Sequence, residues 1–240
     1  MDILIDDDGC RVEIDRAALP TAERIVVTFA GVGRGRIPKG IPVPQFIGSA
    51  SRYGAAVSVI DKNRTWGNGL NVPAITSGIL DLAEGRPVFT LGTSMGGFLA
   101  ILFSTPLRAE RAVSAGAQYS VCPSVMSSEH RWDYFARRIG EWWYPSLNGY
   151  FNLATKYVTL NGSIWQERRH WSQFPLQENA QHYVIEGMGH NLAARLKDAG
   201  ALPGILDHAF LADWGSDMID AGVLGFPARR LAPKGLHPVG

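Results

Sequence analysis

The chain has 240 residues, 46% of them hydrophobic, so we expect residues 1–240 to form a single domain with a substantial core. A formal net charge of +1 gives no general attraction to phosphate backbones or anionic lipids, which argues against nucleic acid as a partner. The two cysteines, Cys10 and Cys122, are far apart and lack metal-ligand spacing, so we expect neither a disulfide framework nor a metal site.

The cysteine usage favours a reducing, cytoplasmic setting, and the N-terminal residues favour a protein without a signal peptide. Met1–Asp6 is acidic and is not a basic segment followed by an apolar stretch. No apolar run approaches the length of a bilayer span. We therefore expect no signal peptide and no membrane span.

A β-hairpin is predicted first, because short apolar alternations between Ile3 and Ile14 flank the turn sequence Asp6–Gly9. Three aspartates also suggest a metal loop, but no glutamate completes a calcium-binding spacing, so a solvated turn is favoured.

A buried strand is predicted at Ile25–Phe29, followed by a glycine-rich loop at Gly31–Gly35. A dinucleotide fingerprint is excluded because Arg36 stands where its last glycine is required. Two interpretations stay open: a loop that presents backbone N–H groups to an oxyanion, and a flexible connection.

A nucleophile elbow is predicted at Gly92–Gly97, between an apolar run ending at Leu91 and the apolar segment Phe98–Phe103. In a Gly-x-Ser-x-Gly turn between strand and helix, the residues two positions from the serine must lack bulk, and the hydroxyl is lifted above the sheet. Ser94 is therefore a candidate nucleophile. The competing interpretation is a helix–sheet contact that needs small residues.

Strand and helix patterns alternate along most of the chain, which predicts an α/β fold with a mostly parallel central sheet flanked by helices. The further predicted elements are strands at Ala55–Ile60, Ala112–Ala117, Tyr157–Leu160 and Tyr183–Ile185 and a helix at Pro73–Ala83.

An aromatic-rich insertion at about residues 122–153 interrupts this alternation. Five of its apolar residues fall near one helical face, which predicts an amphipathic helix packed on the body: Trp132, Phe135, Ile139, Trp142 and Trp143. A lid or pocket wall is the alternative, because aromatic faces receive acyl chains or sugar rings. The C-terminal tail, about residues 221–240, is expected to be frayed and without chemistry.

His190 is the candidate general base. It follows the predicted strand ending at Ile185, in the turn before another helix, and so belongs to the same sheet edge as Ser94. The third triad member is open, because the loop after Leu160 contains no aspartate. Glu167 is our choice, with Asp133 and Asn161 as alternatives.

The chain resembles the α/β-hydrolase superfamily over roughly residues 24–200. Three motifs in this chain order carry the resemblance: the Phe29–Gly33 loop, Gly92–Gly96 and Gly189–His190. The resemblance implies the α/β-hydrolase fold, Ser94 as nucleophile, His190 as general acid and base, and an oxyanion hole made by the Met95 N–H with an N–H near Gly31 or Val32. A looser resemblance, carried by the Asp61–Trp66 loop and Gln118–Ser120, is to bacterial hydrolases found beside glycan-assembly genes.

The function that follows is a serine esterase or thioesterase that works through an acyl-enzyme on Ser94 and needs no cofactor. We expect a small-molecule or glycan ester as substrate, contacted by Asp61, Trp66, Trp132 and Trp142. Two alternatives remain: an acyltransferase that moves the acyl group to or from a glycan or other alcohol, and a non-catalytic binding module. The oligomeric state is not predicted.

Overall fold

A single nine-stranded sheet forms the centre of the protein. The computed structural model describes residues 1–33, 35 and 37–232. The strands of that part of the chain are β1 (Asp2–Asp6), β2 (Cys10–Ile14), β3 (Ile25–Phe29), β4 (Ala55–Asp61), β5 (Val88–Thr93), β6 (Arg111–Ala115), β7 (Lys156–Gly162), β8 (Ala180–Ile185) and β9 (Ala228–Arg230).

The strand order is β1-β2-β4-β3-β5-β6-β7-β8-β9. The six strands from β4 to β8 pair in parallel, whereas β1, β2 and β9 join antiparallel at the two sides. Parallel neighbours bring their carboxyl ends to one edge of the sheet, and this edge carries the candidate site.

Helices cover both faces of the sheet, as the alternating pattern predicts. They are α1 (Ile47–Ala50), α2 (Val72–Ala83), α3 (Met95–Leu102), α4 (Asp133–Ala136), α5 (Trp165–Trp171), α6 (Leu192–Asp198) and α7 (Leu202–Leu211). Val27 of β3 packs into the core with α2 and α3, whereas its neighbour Val26 packs into the core with α6 and α7. Successive residues of a strand point to opposite faces, so an unbroken apolar strand requires a helical layer on each side.

The predicted hairpin and strands are confirmed, but the expectation for the tail is wrong in part. Residues 228–230 form β9, which pairs with β8 and completes the sheet. Residues 233–240 of the predicted tail lie outside the described residues.

The aromatic insertion is not the amphipathic helix that its spacing predicts. Only the four residues of α4 are helical there, and Trp143 is 67% exposed. Beyond Gly140 the backbone bonds to other loops: the Tyr144 N–H donates to Asn68 Oδ1 at 2.7 Å, and the Leu147 N–H donates to the Tyr119 carbonyl at 2.9 Å. These tertiary bonds replace the helical ones, and glycine weakens a helix at that point.

Candidate active site

Ser94 lies at a sharp turn between β5 and α3. Its backbone has φ 59° and ψ −126°, a strained conformation for a residue with a side chain. A Cβ at Gly92 would lie 2.0 Å from the Gly96 carbonyl oxygen, and a Cβ at Gly96 would lie 2.1 Å from the Phe29 carbonyl oxygen. Both glycines are therefore required, as the motif predicts.

Three side chains form a hydrogen-bonded chain at this edge of the sheet. Ser94 Oγ lies 2.8 Å from His190 Nε2, and His190 Nδ1 lies 3.3 Å from Glu167 Oε2. Glu167 projects from the first turn of α5, after β7, and its side chain is only 3% exposed. A carboxylate here holds the proton on Nδ1 and leaves Nε2 free to accept the serine proton.

The other two candidates for the acid are engaged elsewhere. Asp133 Oδ2 pairs with Arg137 at 2.9 Å, on the surface of α4. Asn161 Nδ2 donates to Thr159 Oγ1 at 2.9 Å and to the Tyr183 carbonyl at 3.2 Å, inside the sheet. Of the three, Glu167 is the one that contacts His190.

Arg131, from the insertion, holds the opposite side of the Glu167 carboxylate. Its Nη1 donates to Glu167 Oε1, while Oε2 faces His190. Burial works to raise the pKa of Glu167, but the hydrogen bond and charge of His190, together with Arg131, outweigh it and hold the pKa below its ordinary value. The Glu167 carboxylate therefore stays ionised at neutral pH.

A second buried carboxylate, Glu129, orients Arg131. Arg131 Nη2 donates to Glu129 Oε2 at 2.6 Å, and Arg131 Nε donates to Oε1 at 3.0 Å. His170 Nδ1 accepts the Tyr119 N–H at 3.1 Å, so the ring proton lies on Nε2 and is donated to Glu129 at 2.8 Å. Burial lowers the pKa of His170, although Glu129 opposes this, so the ring is a neutral donor.

The loop after β3, predicted to form the oxyanion hole, lies against the end of β5, since a Cβ on Gly31 would be 3.1 Å from the Thr93 carbonyl oxygen. The Met95 N–H is in the first turn of α3, where no partner exists within the helix. The Gly31 N–H donates to Gln45 Oε1 at 3.1 Å, whereas the Val32 N–H makes no hydrogen bond to another described residue. Of the two loop candidates, the Val32 N–H is therefore the one that is not engaged by another described residue.

Asp61 supports a loop and does not face the site. It is fully buried, and its Oδ2 accepts hydrogen bonds from the Thr65 N–H and hydroxyl and the Gly67 N–H at 2.8–3.2 Å. This role replaces the substrate contact expected from the sequence. Arg64 in the same loop donates to the Val32 carbonyl at 2.8 Å and so holds the loop after β3.

The three tryptophans predicted to contact the substrate lie in different environments. Trp132 is half-buried, with its ring centroid 5.2 Å from that of His190 and 6.0 Å from that of Trp66. Trp66 is fully buried behind it and is not open to a substrate. Trp142 packs against the core on the α2–α3 side of the sheet. Trp132 is therefore the aromatic wall of the site.

Gln118, which follows β6, was not among the predicted site residues. Its Nε2 lies 3.1 Å from Ser94 Oγ, and its Oε1 accepts the Trp66 indole N–H at 3.2 Å. The available signal was its position after a parallel strand at this edge. Arg131 gave no such signal, because its contact with Glu167 spans 36 residues of sequence.

Other classes of site find no support within residues 1–33, 35 and 37–232. No grouping of three or more His, Cys, Asp or Glu side chains is suited to hold a metal ion there. No helix in that part of the chain has the length and apolar character needed to cross a membrane. Cys10 and Cys122 are buried free thiols.

Solved structures provide the relationship to known proteins, since neither family models nor curated sequences match the chain. The chain is similar to the capsule O-acetyltransferase of Neisseria meningitidis serogroup A, with 15% identity, a TM-score of 0.60, and coverage of 86% of this chain and 96% of that one. It is also similar to MGS-M2, an α/β hydrolase from a Medee basin deep-sea metagenome, with 12% identity, a TM-score of 0.58, and 87% and 97% coverage. Carboxylesterase CesB of Bacillus subtilis matches at 12% identity and a TM-score of 0.50, over 88% and 92% of the chains.

The sheet order, the serine elbow after β5 and these structural matches agree. This chain has the α/β-hydrolase fold.

Proposed function

We propose that the protein is a serine hydrolase that cleaves an ester or thioester through an acyl-enzyme on Ser94. The observation that carries this proposal is the hydrogen-bonded chain from Ser94 through His190 to Glu167, with distances of 2.8 and 3.3 Å. A general base within reach of a serine hydroxyl, itself oriented by a buried carboxylate, is the arrangement that activates serine as a nucleophile.

The first half of the reaction forms the acyl-enzyme. His190 Nε2 takes the hydroxyl proton while Ser94 Oγ bonds to the carbonyl carbon, and the Met95 and Val32 N–H groups stabilise the oxyanion. When the intermediate collapses, its C–O or C–S bond breaks and the leaving group takes the proton from His190. Water then repeats the sequence, with His190 as its base, and releases the acid.

Acyl transfer to an alcohol is the second candidate. The similarity to a capsule O-acetyltransferase favours it, as does the half-buried face of Trp132 beside His190, because aromatic faces bind sugar rings. The chemistry differs only in the second half, where an acceptor hydroxyl replaces water. Product analysis with added alcohols and glycans separates the two: transfer products that predominate over free acid establish the transferase.

The nucleophile is tested by Ser94→Ala with p-nitrophenyl acetate and a fluorophosphonate probe. We expect kcat/KM to fall by about 10,000-fold or more and labelling to disappear. Ser51→Ala is the matched control, because Ser51 is exposed and bonds only its own helix. Equal labelling of wild type and Ser94→Ala would overturn Ser94 as the nucleophile, and no labelling of the wild type, with none lost in Ser94→Ala, would leave a binding module as the explanation.

The acid is tested by comparing Glu167→Gln with Asp133→Asn. We expect a loss of about 100-fold to 10,000-fold in kcat for the first, because the amide no longer fixes the imidazole tautomer. The second lies on the surface pair with Arg137 and should stay within about twofold. The opposite ranking would move the role to Asp133.

A further inference from the structure

The side chain of Gln118 is fully buried beside the nucleophile, although it is not part of the Ser94–His190–Glu167 chain. Its Nε2 lies 3.1 Å from Ser94 Oγ and 3.5 Å from His190 Nε2. A carboxamide this close to both reacting atoms either donates to them or accepts from them. Its orientation decides which.

Trp66 fixes that orientation. An indole N–H can only donate, so the carboxamide oxygen faces Trp66, at 3.2 Å from Nε1. Trp66 is itself fully buried and packs against Trp132 at a centroid distance of 6.0 Å, so the indole has little freedom to turn away. The NH₂ group of Gln118 is therefore directed at Ser94.

The protons at Ser94 Oγ are consistent with this direction. The hydroxyl has one proton, which it donates to His190 Nε2 at 2.8 Å, and its lone pairs accept from Gln118. A donor to the attacking oxygen becomes stronger as negative charge develops there, because hydrogen bonds to charged groups are about twice as strong as neutral ones.

We propose that Gln118 is a further catalytic residue, which stabilises Ser94 Oγ as its proton passes to His190. Gln118 neither gains nor loses a proton, and the Oγ–carbon bond forms as before. Once Oγ carries the acyl group it is a poorer acceptor, and the same N–H then bonds the oxygen of the water or alcohol that approaches His190. This inference rests on the proposed acyl-enzyme chemistry.

The test compares Gln118→Met, which keeps length and removes the donor, with Trp66→Phe, which removes the indole N–H that orients it. We expect Gln118→Met to slow fluorophosphonate labelling and kcat by about tenfold to 100-fold with KM within about twofold, because the interaction grows in the transition state. Trp66→Phe should lose about threefold to 30-fold, since the amide is free to turn.

The double variant provides a readout that simple loss of packing does not give. If Trp66 acts through Gln118, the double variant should label within about threefold of Gln118→Met, whereas independent effects multiply. Gln177→Leu is the matched control, with one long bond of 3.4 Å to the Asn152 carbonyl, and it should label like wild type. Melting temperatures identify any variant that loses the fold.

The outcomes separate this proposal from the proposed function. Loss of labelling in Ser94→Ala with full-rate labelling of Gln118→Met overturns the role of Gln118 alone. Labelling that persists in Ser94→Ala overturns the acyl-enzyme itself. If Gln118→Met does not fold, Trp66→Phe decides: wild-type labelling overturns the proposal, and slowed labelling with unchanged KM supports it.

Discussion

Arg131→Met removes the guanidinium between two buried carboxylates. The side chains of Glu129 and Glu167 are 0% and 3% exposed, so neither gains solvation when the cation is lost. Breaking a buried ion pair from one side costs about 3–5 kcal/mol, and we expect a loss of that size in the free energy of unfolding near pH 8. The surface pair of Arg137, whose side chain is 74% exposed, is the matched control; Arg137→Met should cost less than about 0.5 kcal/mol.

The stability lost in Arg131→Met should depend on pH, and the two carboxylates determine whether it grows or shrinks as the pH falls. Their pKa values in the folded protein lie below the ordinary value near 4.5, so the stability they contribute is complete above that pH and is lost as the pH falls through the folded pKa. In Arg131→Met the carboxyls can take up protons, so its deficit relative to wild type should shrink towards pH 4. Urea unfolding of wild type and Arg131→Met at pH 8 and at pH 4.5 measures this deficit at each pH.

A second substitution distinguishes charge from packing. Glu129→Gln in the Arg131→Met background removes one unpaired charge and keeps an oxygen for His170, so it should recover at least about 1 kcal/mol. The single variant should also lose about tenfold to 100-fold in kcat/KM, because Glu167 is no longer held against His190. A deficit below 1 kcal/mol, or one equal at the two pH values, would refute the reasoning.

Two further predictions concern folding. Gly96→Ala should lose more than about 3 kcal/mol or give no soluble protein, because the new Cβ would lie 2.1 Å from the Phe29 carbonyl oxygen. Gly48→Ala, with nothing within 4 Å, should change stability by less than about 1 kcal/mol in the same urea titration, and equal losses would contradict the steric argument. Burial lowers the pKa of His182 to about 4, so the folded protein should lose about 3 kcal/mol as the pH falls from 6.5 to 4. His182→Gln should flatten that dependence in unfolding measured across this range, and an unchanged slope would exclude His182 as its source.

Local patterns predict much of the fold and part of the site. The strand before Ser94 and the glycines around it are encoded within a few residues, because the steric demand of the elbow is itself local. His190 is predicted for a similar reason, since a turn after a parallel strand places it at a known edge. For the acid the sequence offers several candidates, because which carboxylate reaches His190 depends on the direction of α5.

Contacts between distant segments account for what the sequence does not predict. The Trp132–Trp143 spacing favours a helix, yet bonds from Asn68 and Tyr119 hold the segment in another path. Gln118 contacts Ser94 across 24 residues of sequence, and its orientation depends on the indole of Trp66, 52 residues away. These contacts form only when the folded sheet brings distant segments together, so the periodicity of the sequence does not predict them.

The six parallel strands each deliver one component of the site at the same edge: Trp66 after β4, Val32 after β3, Ser94 after β5, Gln118 after β6, Glu167 after β7 and His190 after β8. Each residue of a strand advances about 3.3 Å, whereas reacting groups must be placed to within about 0.5 Å. A single deletion inside any of these strands would therefore misplace a reacting group by several times that tolerance. Length changes in this protein should be tolerated in connections at the opposite edge of the sheet, because the pairing register of the sheet sets the distances that join Ser94, His190 and Glu167.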